Sequence, residues 1–296
     1  MGYLFYMRKG ILLTLFSMVL SAQIALVQWD DKGIYRDIQE AFESNLPWGV
    51  DKYNVYGDKS KIPGVMERLK TREYRIIVVT GDDLLKAAVV YLTNTPVVFL
   101  GSTDTKPAEG KKNITGISLN PTPEEVVRTV QKILPKMKKV GLIFKNPDQY
   151  VQTYSSILEK FGIQVEKVMA QDPGGVNTAL RFLSDVDLLW MVPDELNREN
   201  ATFKFLLISS QKKLIPIMGL DENYVKAGAL FAITPDLNFI GRKGAEYVKS
   251  IVDGISPENL PVLHPRASYV INLKVAKKLN LNIPPTIINN ARRVIK

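Results

Sequence analysis

Short runs of β-branched and apolar residues alternate with segments of helical periodicity along most of the chain, and this alternation restricts the fold more than any other feature. Residues 24–28 (IALVQ) read as a strand, and Ile34, Ile38, Ala41 and Phe42 then recur at helical spacing. Residues 75–80 (RIIVVT) form a continuous apolar run, the pattern of a parallel strand buried on both faces. A helix over 82–92 and a strand over 96–100 follow, then a strand-like stretch over 113–119 bounded by Pro121 and Pro123. There the alternation restarts. Helices are expected over 124–134, 151–161, 201–212 and 237–253, and strands over 140–144, 163–169, 187–192, 215–220 and 229–233. Strands alternating with helices imply an α/β fold with parallel sheets covered on both faces. The restart near residue 120 implies two similar lobes, and ligands of such folds sit outside the carboxyl ends of the strands, here in a cleft between the lobes.

The chain has 296 residues, enough for two lobes of ordinary size, and its 46% hydrophobic content suffices for their cores. Cysteine is absent, which excludes a disulfide framework, thiolate metal sites, a cysteine nucleophile and lipid attachment at an N-terminal cysteine. His264 is the single histidine, so a histidine-rich metal site is excluded and no cofactor is expected. The formal charge of +9 raises the question of a nucleic-acid partner. Basic residues are interleaved with acidic ones, however, and the densest cluster, Lys136, Lys138 and Lys139, falls between a helix and a strand, so none is expected.

Arg8 and Lys9 precede an apolar run over 11–20 (ILLTLFSMVL), and Ser21, Ala22 and Gln23 follow. That order describes a secretory signal peptide over residues 1–22, with cleavage expected after Ala22 and Met7 as an alternative start. An uncleaved anchor is the competing reading, since apolar character continues to Val27. Gln23 interrupts it, and the segment beyond is required as a first strand. A periplasmic or otherwise extracytoplasmic location is therefore expected.

Four stretches carry a family likeness: NITGISLNPTPEE, KKVGLIFKNP, DVDLLWMVPDELN and LIPIMGLDENYVKAGALFAI. With GRKGAEYVKSIVDGISPENLPV and VINLKVAKKLNLNIPPTII near the end, they resemble the substrate-binding proteins of ABC transporters that have a type I periplasmic-binding fold, the group with tryptophan- and tyrosine-binding members. The resemblance covers roughly residues 23–296. It implies two Rossmann-like lobes joined by a three-crossing hinge, lobe one over 23–118 plus 236–258 and lobe two over 119–235 plus 259–296. It also implies a small-molecule ligand, a permease in the membrane as partner, a monomeric protein and no enzymatic step. The first lobe departs from the family pattern at Trp29-Asp30-Asp31, Thr80-Gly81-Asp82 and Asp104-Thr105, so the ligand does not follow from the resemblance.

Candidate ligand contacts stand at strand ends. Thr80, Gly81 and Asp82 open a helix, where free N–H groups and the helix dipole suit a carboxylate; ordinary capping by Thr80 or Asp82 is the alternative. Ser102, Thr103 and Asp104 offer hydrogen bonds, or form a polar loop before Lys106, Pro107 and Gly110. Asp194, with Glu195 beside it, and Asp221 follow apolar strands of the second lobe. Each could hold a ligand ammonium or cap the next helix, and the resemblance places Asp194 and Asp221 at pocket positions. Trp29 and Tyr150, and less so Tyr224, are candidate aromatic walls. The function expected is capture of a small molecule, an aromatic amino acid in particular, and its delivery to an ABC transporter. A freestanding ligand sensor is one alternative. An enzyme would have to work through carboxylates alone and is the other.

Overall fold

The computed structural model describes residues 24–183 and 185–296, so the expected signal peptide lies outside the described residues. In chain order the elements begin β1 (Ile24–Gln28), α1 (Gly33–Glu43), β2 (Asp51–Asn54), α2 (Ile62–Lys70), β3 (Ile76–Thr80), α3 (Asp82–Tyr91), β4 (Val97–Ser102) and β5 (Ile114–Ser118). They continue α4 (Pro123–Ile133), β6 (Lys139–Phe144), α5 (Gln149–Lys160), β7 (Gln164–Met169), α6 (Pro173–Phe182), β8 (Leu188–Met191), α7 (Glu195–Arg198) and α8 (Asn200–Lys213). The last are β9 (Ile217–Met218), α9 (Glu222–Ala227), β10 (Phe231–Pro235), α10 (Leu237–Val252), β11 (Ala267–Asn272), α11 (Leu273–Lys278), α12 (Pro285–Asn289) and β12 (Arg293–Ile295). The chain divides into two compact units, Met1–Asn120 with Leu237–Pro265 and Pro121–Asp236 with Arg266–Lys296, so it passes between them three times. Residues 259–265, expected with the second lobe, group with the first. Leu263 bridges to Ile117 and accepts the Ser118 N–H at 2.8 Å, which fixes this return segment against β5.

The first unit is a five-stranded parallel sheet in the order β2-β1-β3-β4-β5. Successive side chains of a strand point to opposite faces, and the sequence fills both. Ala25, Val27, Ile77, Val79, Val97 and Phe99 pack with Met66 of α2 and Leu84 of α3. Ile24, Leu26, Ile76, Val78, Val98 and Leu100 pack with Ile38 and Phe42 of α1 and Ile240 and Val248 of α10. This explains why residues 76–79 show no polar position. Helices α1 and α10 meet at Gly241, where a Cβ would stand 2.5 Å from the Ile38 carbonyl oxygen and 2.6 Å from the Ala41 Cβ.

The second unit is a seven-stranded sheet, β12-β11-β10-β9-β8-β6-β7. Val140, Leu142, Phe144, Leu188 and Trp190 line one face, and Ile143, Leu189, Met191 and Ile217 the other. Its strand pairs are parallel, as the sequence pattern implies, except that β11 runs antiparallel to β10. The chain leaves β10 at Pro235 and returns at Ala267 directly opposite, with the Asp236 N–H on the Arg266 carbonyl, so β11 starts where β10 ends.

Candidate functional site

At the carboxyl edge of the first sheet, the ends of β1, β3, β4 and β5 are tied by side chains rather than by a further strand. The Thr80 hydroxyl is fully buried and accepts the Trp29 N–H at 2.9 Å, joining the exits of β1 and β3. Gly101, at φ +68°, produces a register shift in β4, which therefore runs two residues beyond its expected end. Ser102, also buried, is thereby turned toward Asp82. Asp82 Oδ1 accepts from Ser102 Oγ at 2.5 Å and from the N–H groups of Thr103 and Asp104 at 2.7 and 3.1 Å. Its Oδ2 accepts from Thr103 Oγ1 at 2.5 Å. Burial raises the Asp82 pKa, but these hydrogen bonds outweigh it and hold the carboxyl below its ordinary range.

Neither capping alternative at this corner is realised. Gly81 is the N-cap of α3, and no side chain caps the helix. Asp82 reaches across to the β4 exit instead. Gly81 sits at φ +82°, and the Tyr35 ring lies over it: a Cβ there would stand 3.0 Å from Cε1 and 3.1 Å from the hydroxyl oxygen. The close approach that glycine permits is thus made by Tyr35. Burial pushes the Tyr35 pKa up, and Asp82, Asp83 and Asp30 push it further. Lys59 pairs with Asp83 at 3.0 Å. A corner with three carboxylates is a poor receptor for the ligand carboxylate expected at the start of α3. Trp29 is partly buried, its ring set against the α2–α3 side of the core.

In the second unit, Asp194 performs for β6 and β8 what Asp82 performs for β3 and β4. Its Oδ2 accepts the Lys145 N–H beyond β6 at 2.8 Å, and its Oδ1 accepts the Asn197 N–H and Nδ2, both at 2.8 Å. Buried Asn197 passes its amide on to the Ile143 carbonyl at 2.8 Å. Asp194 is therefore the cap of α7 and a strand tie. Glu195 is exposed and paired with Lys145 at 3.2 Å. Asp221 caps α9 through Oδ1, which accepts the Asn223 N–H at 2.7 Å. It is exposed, and its Oδ2 has no partner among the described residues.

Tyr150, a candidate aromatic wall, is partly buried. It lies in the first turn of α5, stacked at 4.3 Å on Tyr154, and its hydroxyl accepts the Trp190 indole N–H at 3.0 Å. Burial drives its pKa far up. Tyr224 meets Phe203 edge-on at 4.8 Å. His264 Nδ1 stands 2.9 Å from the Asn120 carbonyl, in agreement with a structural role.

Several polar groups at these edges escaped the sequence patterns. Gln28 ends β1 with its side chain buried, and its amide meets Gln39, which in turn donates to Glu43 at 2.9 Å. Thr234, near the end of β10, has a buried hydroxyl without a hydrogen-bond partner among the described residues. A hydroxyl within an apolar run before Pro235 was the available signal. Among the described residues, no group of His, Cys, Asp and Glu could hold a metal ion.

The profile of the ABC transporter substrate binding protein family matches residues 32–295. This chain belongs to that family. A tyrosine-binding protein of Clostridioides difficile (strain R20291) is 22% identical over 245 residues, 78% of this chain and 70% of the relative. Two solved structures share the fold. One is an ABC domain in complex with L-Trp from Streptococcus pneumonia, 20% identical with a TM-score of 0.59, matched over 93% of this chain and 100% of that one. The other is the ligand-free, open form of a substrate binding protein with adhesive properties from Clostridium difficile, 17% identical with a TM-score of 0.77, over 94% and 100%. The fold is the type I periplasmic-binding fold. Substrate-binding proteins of ABC transporters work outside the cytoplasmic membrane, and no helix among the described residues is long and apolar enough to cross one.

The Asp82 tie makes a prediction about acid stability. Asp82→Asn removes the charge that strengthens these four bonds and replaces one of the two acceptor oxygens by an NH2 donor. It should lower stability at neutral pH by about 1–3 kcal/mol. A carboxyl with a depressed folded pKa stabilises fully above its unfolded value and loses that stabilisation as pH falls through the folded value. The gap between wild type and variant should therefore close below about pH 4. Urea unfolding between neutral and acid pH measures it, and a gap that does not vary with pH contradicts the assignment.

Proposed function

We propose that this substrate-binding protein is exported through a cleaved signal peptide, captures an amino acid with preference for an aromatic one, and delivers it to the permease of an ABC transporter. It acts as a monomer and catalyses no reaction. Export rests on Arg8, Lys9, the apolar run and Ala22. Intact-mass measurement of the native protein should give a chain starting near Gln23; a full-length, membrane-bound product contradicts this.

The ligand class rests on exposed Asp221 beyond β9, whose second oxygen has no partner among the described residues and whose charge, after burial, raises the Tyr224 pKa. A carboxylate with one oxygen fixed by its helix is oriented at no further cost and can accept from an ammonium. The tyrosine and tryptophan ligands of the relatives agree with this chemistry. Asp194 is assigned to the scaffold, because Lys145 and Asn197 engage both of its oxygens. The ligand carboxylate is not assigned to the acidic start of α3.

Asp221→Asn should weaken binding of L-tyrosine or L-tryptophan by roughly 10- to 150-fold, the value of one charge-assisted hydrogen bond of about 1.5–3 kcal/mol. Asp194→Asn should instead lower stability. Calorimetric titration of both variants beside wild type separates the two roles. Unchanged affinity in Asp221→Asn would place the ammonium elsewhere, and failure of any amino acid to bind wild type would overturn the ligand class.

A further inference from the structure

Residues 266–296 contain seven Lys and Arg and no Asp or Glu. Arg8 and Lys9 add two more, and the other 30 basic side chains are matched in number by the chain's 30 acidic ones. The formal +9 is therefore interleaved only as far as residue 265. Within the Lys136, Lys138 and Lys139 cluster, Lys139 pairs with Glu166 at 2.5 Å and lies in the field of Asp185 and Asp187. The excess charge of the described residues falls in the last 31 residues, and the fold gathers much of it at one edge of the second sheet.

That edge is built by β12, the outer strand, and by α11, which packs against it. The parallel register sets Asn272 opposite Ile295, so Lys296 lies beside the start of α11. Lys274, Lys277 and Lys278 are exposed on α11, and Lys296 is exposed at the strand end. None of these four lysines has an ion-pair partner among the described residues. Arg293 is outside this set, because Glu222 holds it at 2.6 Å and also holds Lys226 at 2.8 Å. Lysines at a helix C-terminus complement its dipole, and charge on an edge strand discourages edge-to-edge pairing. Neither effect calls for a 31-residue segment without a single acid.

We propose that this edge rests on an anionic lipid surface. Four ammonium groups on flexible stems, distributed over a helix and a strand end, present a diffuse positive field. Laterally mobile headgroups can arrange themselves beneath such a field, whereas a fixed set of carboxylates on a protein would need a defined geometry. Each lysine near an anionic membrane contributes about 1 kcal/mol, and clusters of four or more suffice for recruitment. The inference uses the extracytoplasmic location of the family and is independent of the ligand reading. Retention at the membrane would keep the protein close to its permease.

Sedimentation with vesicles of phosphatidylcholine and phosphatidylglycerol in equal parts, at low ionic strength, tests it. Wild type should bind these vesicles, ignore pure phosphatidylcholine, and be released by salt. Replacing Lys274, Lys277 and Lys278 by Gln should weaken binding on the order of 100-fold and leave calorimetric amino-acid binding and thermal unfolding unchanged. A control with Lys86, Lys111 and Lys112, exposed in the first unit, replaced by Gln should bind as wild type does. No binding of wild type to the anionic vesicles overturns the proposal, and so does equal loss in the control. Binding to polyglutamate as tight as to vesicles, lost in the same triple variant, would overturn the lipid assignment in favour of an acidic polypeptide.

Discussion

A parallel sheet ends in backbone groups that no neighbouring strand satisfies, and in both units a carboxylate meets that need. Asp82 gathers four donors from the β4 exit, and Asp194 gathers three from the β6 exit and α7. Each links the carboxyl ends of two adjacent strands, where a binding surface has to be rigid. An aspartate does this better than an amide because it is acceptor-only and its charge shortens and strengthens each bond. The same economy separates scaffold from site. A carboxylate whose oxygens are engaged internally holds the edge in place, and one such as Asp221, with an oxygen left over among the described residues, is the one we propose for a ligand.

The fold was legible because burial on both faces leaves few choices. Residues 76–79 cannot be anything but a central strand once both faces are covered, and Gly241 in α10 follows from how closely that helix meets α1. The antiparallel turn at β11 was not legible, since direction depends on where the chain re-enters the sheet and residues 267–272 read alike in either direction. The short strands β2 and β12, four and three residues long and not fully buried, carry no strong periodicity.

Candidate contacts were legible as positions but not as roles. Sequence places Thr80, Ser102, Asp194 and Asp221 at strand ends, and there they are. What each oxygen binds depends on partners 20 to 50 residues away, such as Thr103 for Asp82 and Lys145 for Asp194. The hydrogen bond of Tyr150 to Trp190, 40 residues distant, was not legible in the sequence. Charge is uneven in a way an average over the chain conceals, since residues 266–296 carry no Asp or Glu.

Whether the protein binds an amino acid is tested directly by thermal unfolding of the wild-type chain across a panel of L-amino acids, sugars and nucleosides. A ligand at 100 times its dissociation constant stabilises the folded state by about 2.7 kcal/mol, which raises the midpoint of a unit of this size by several degrees. Such a rise is expected with L-tyrosine or L-tryptophan and none with sugars or nucleosides. A rise confined to a sugar or a nucleoside, with every amino acid silent, would contradict it.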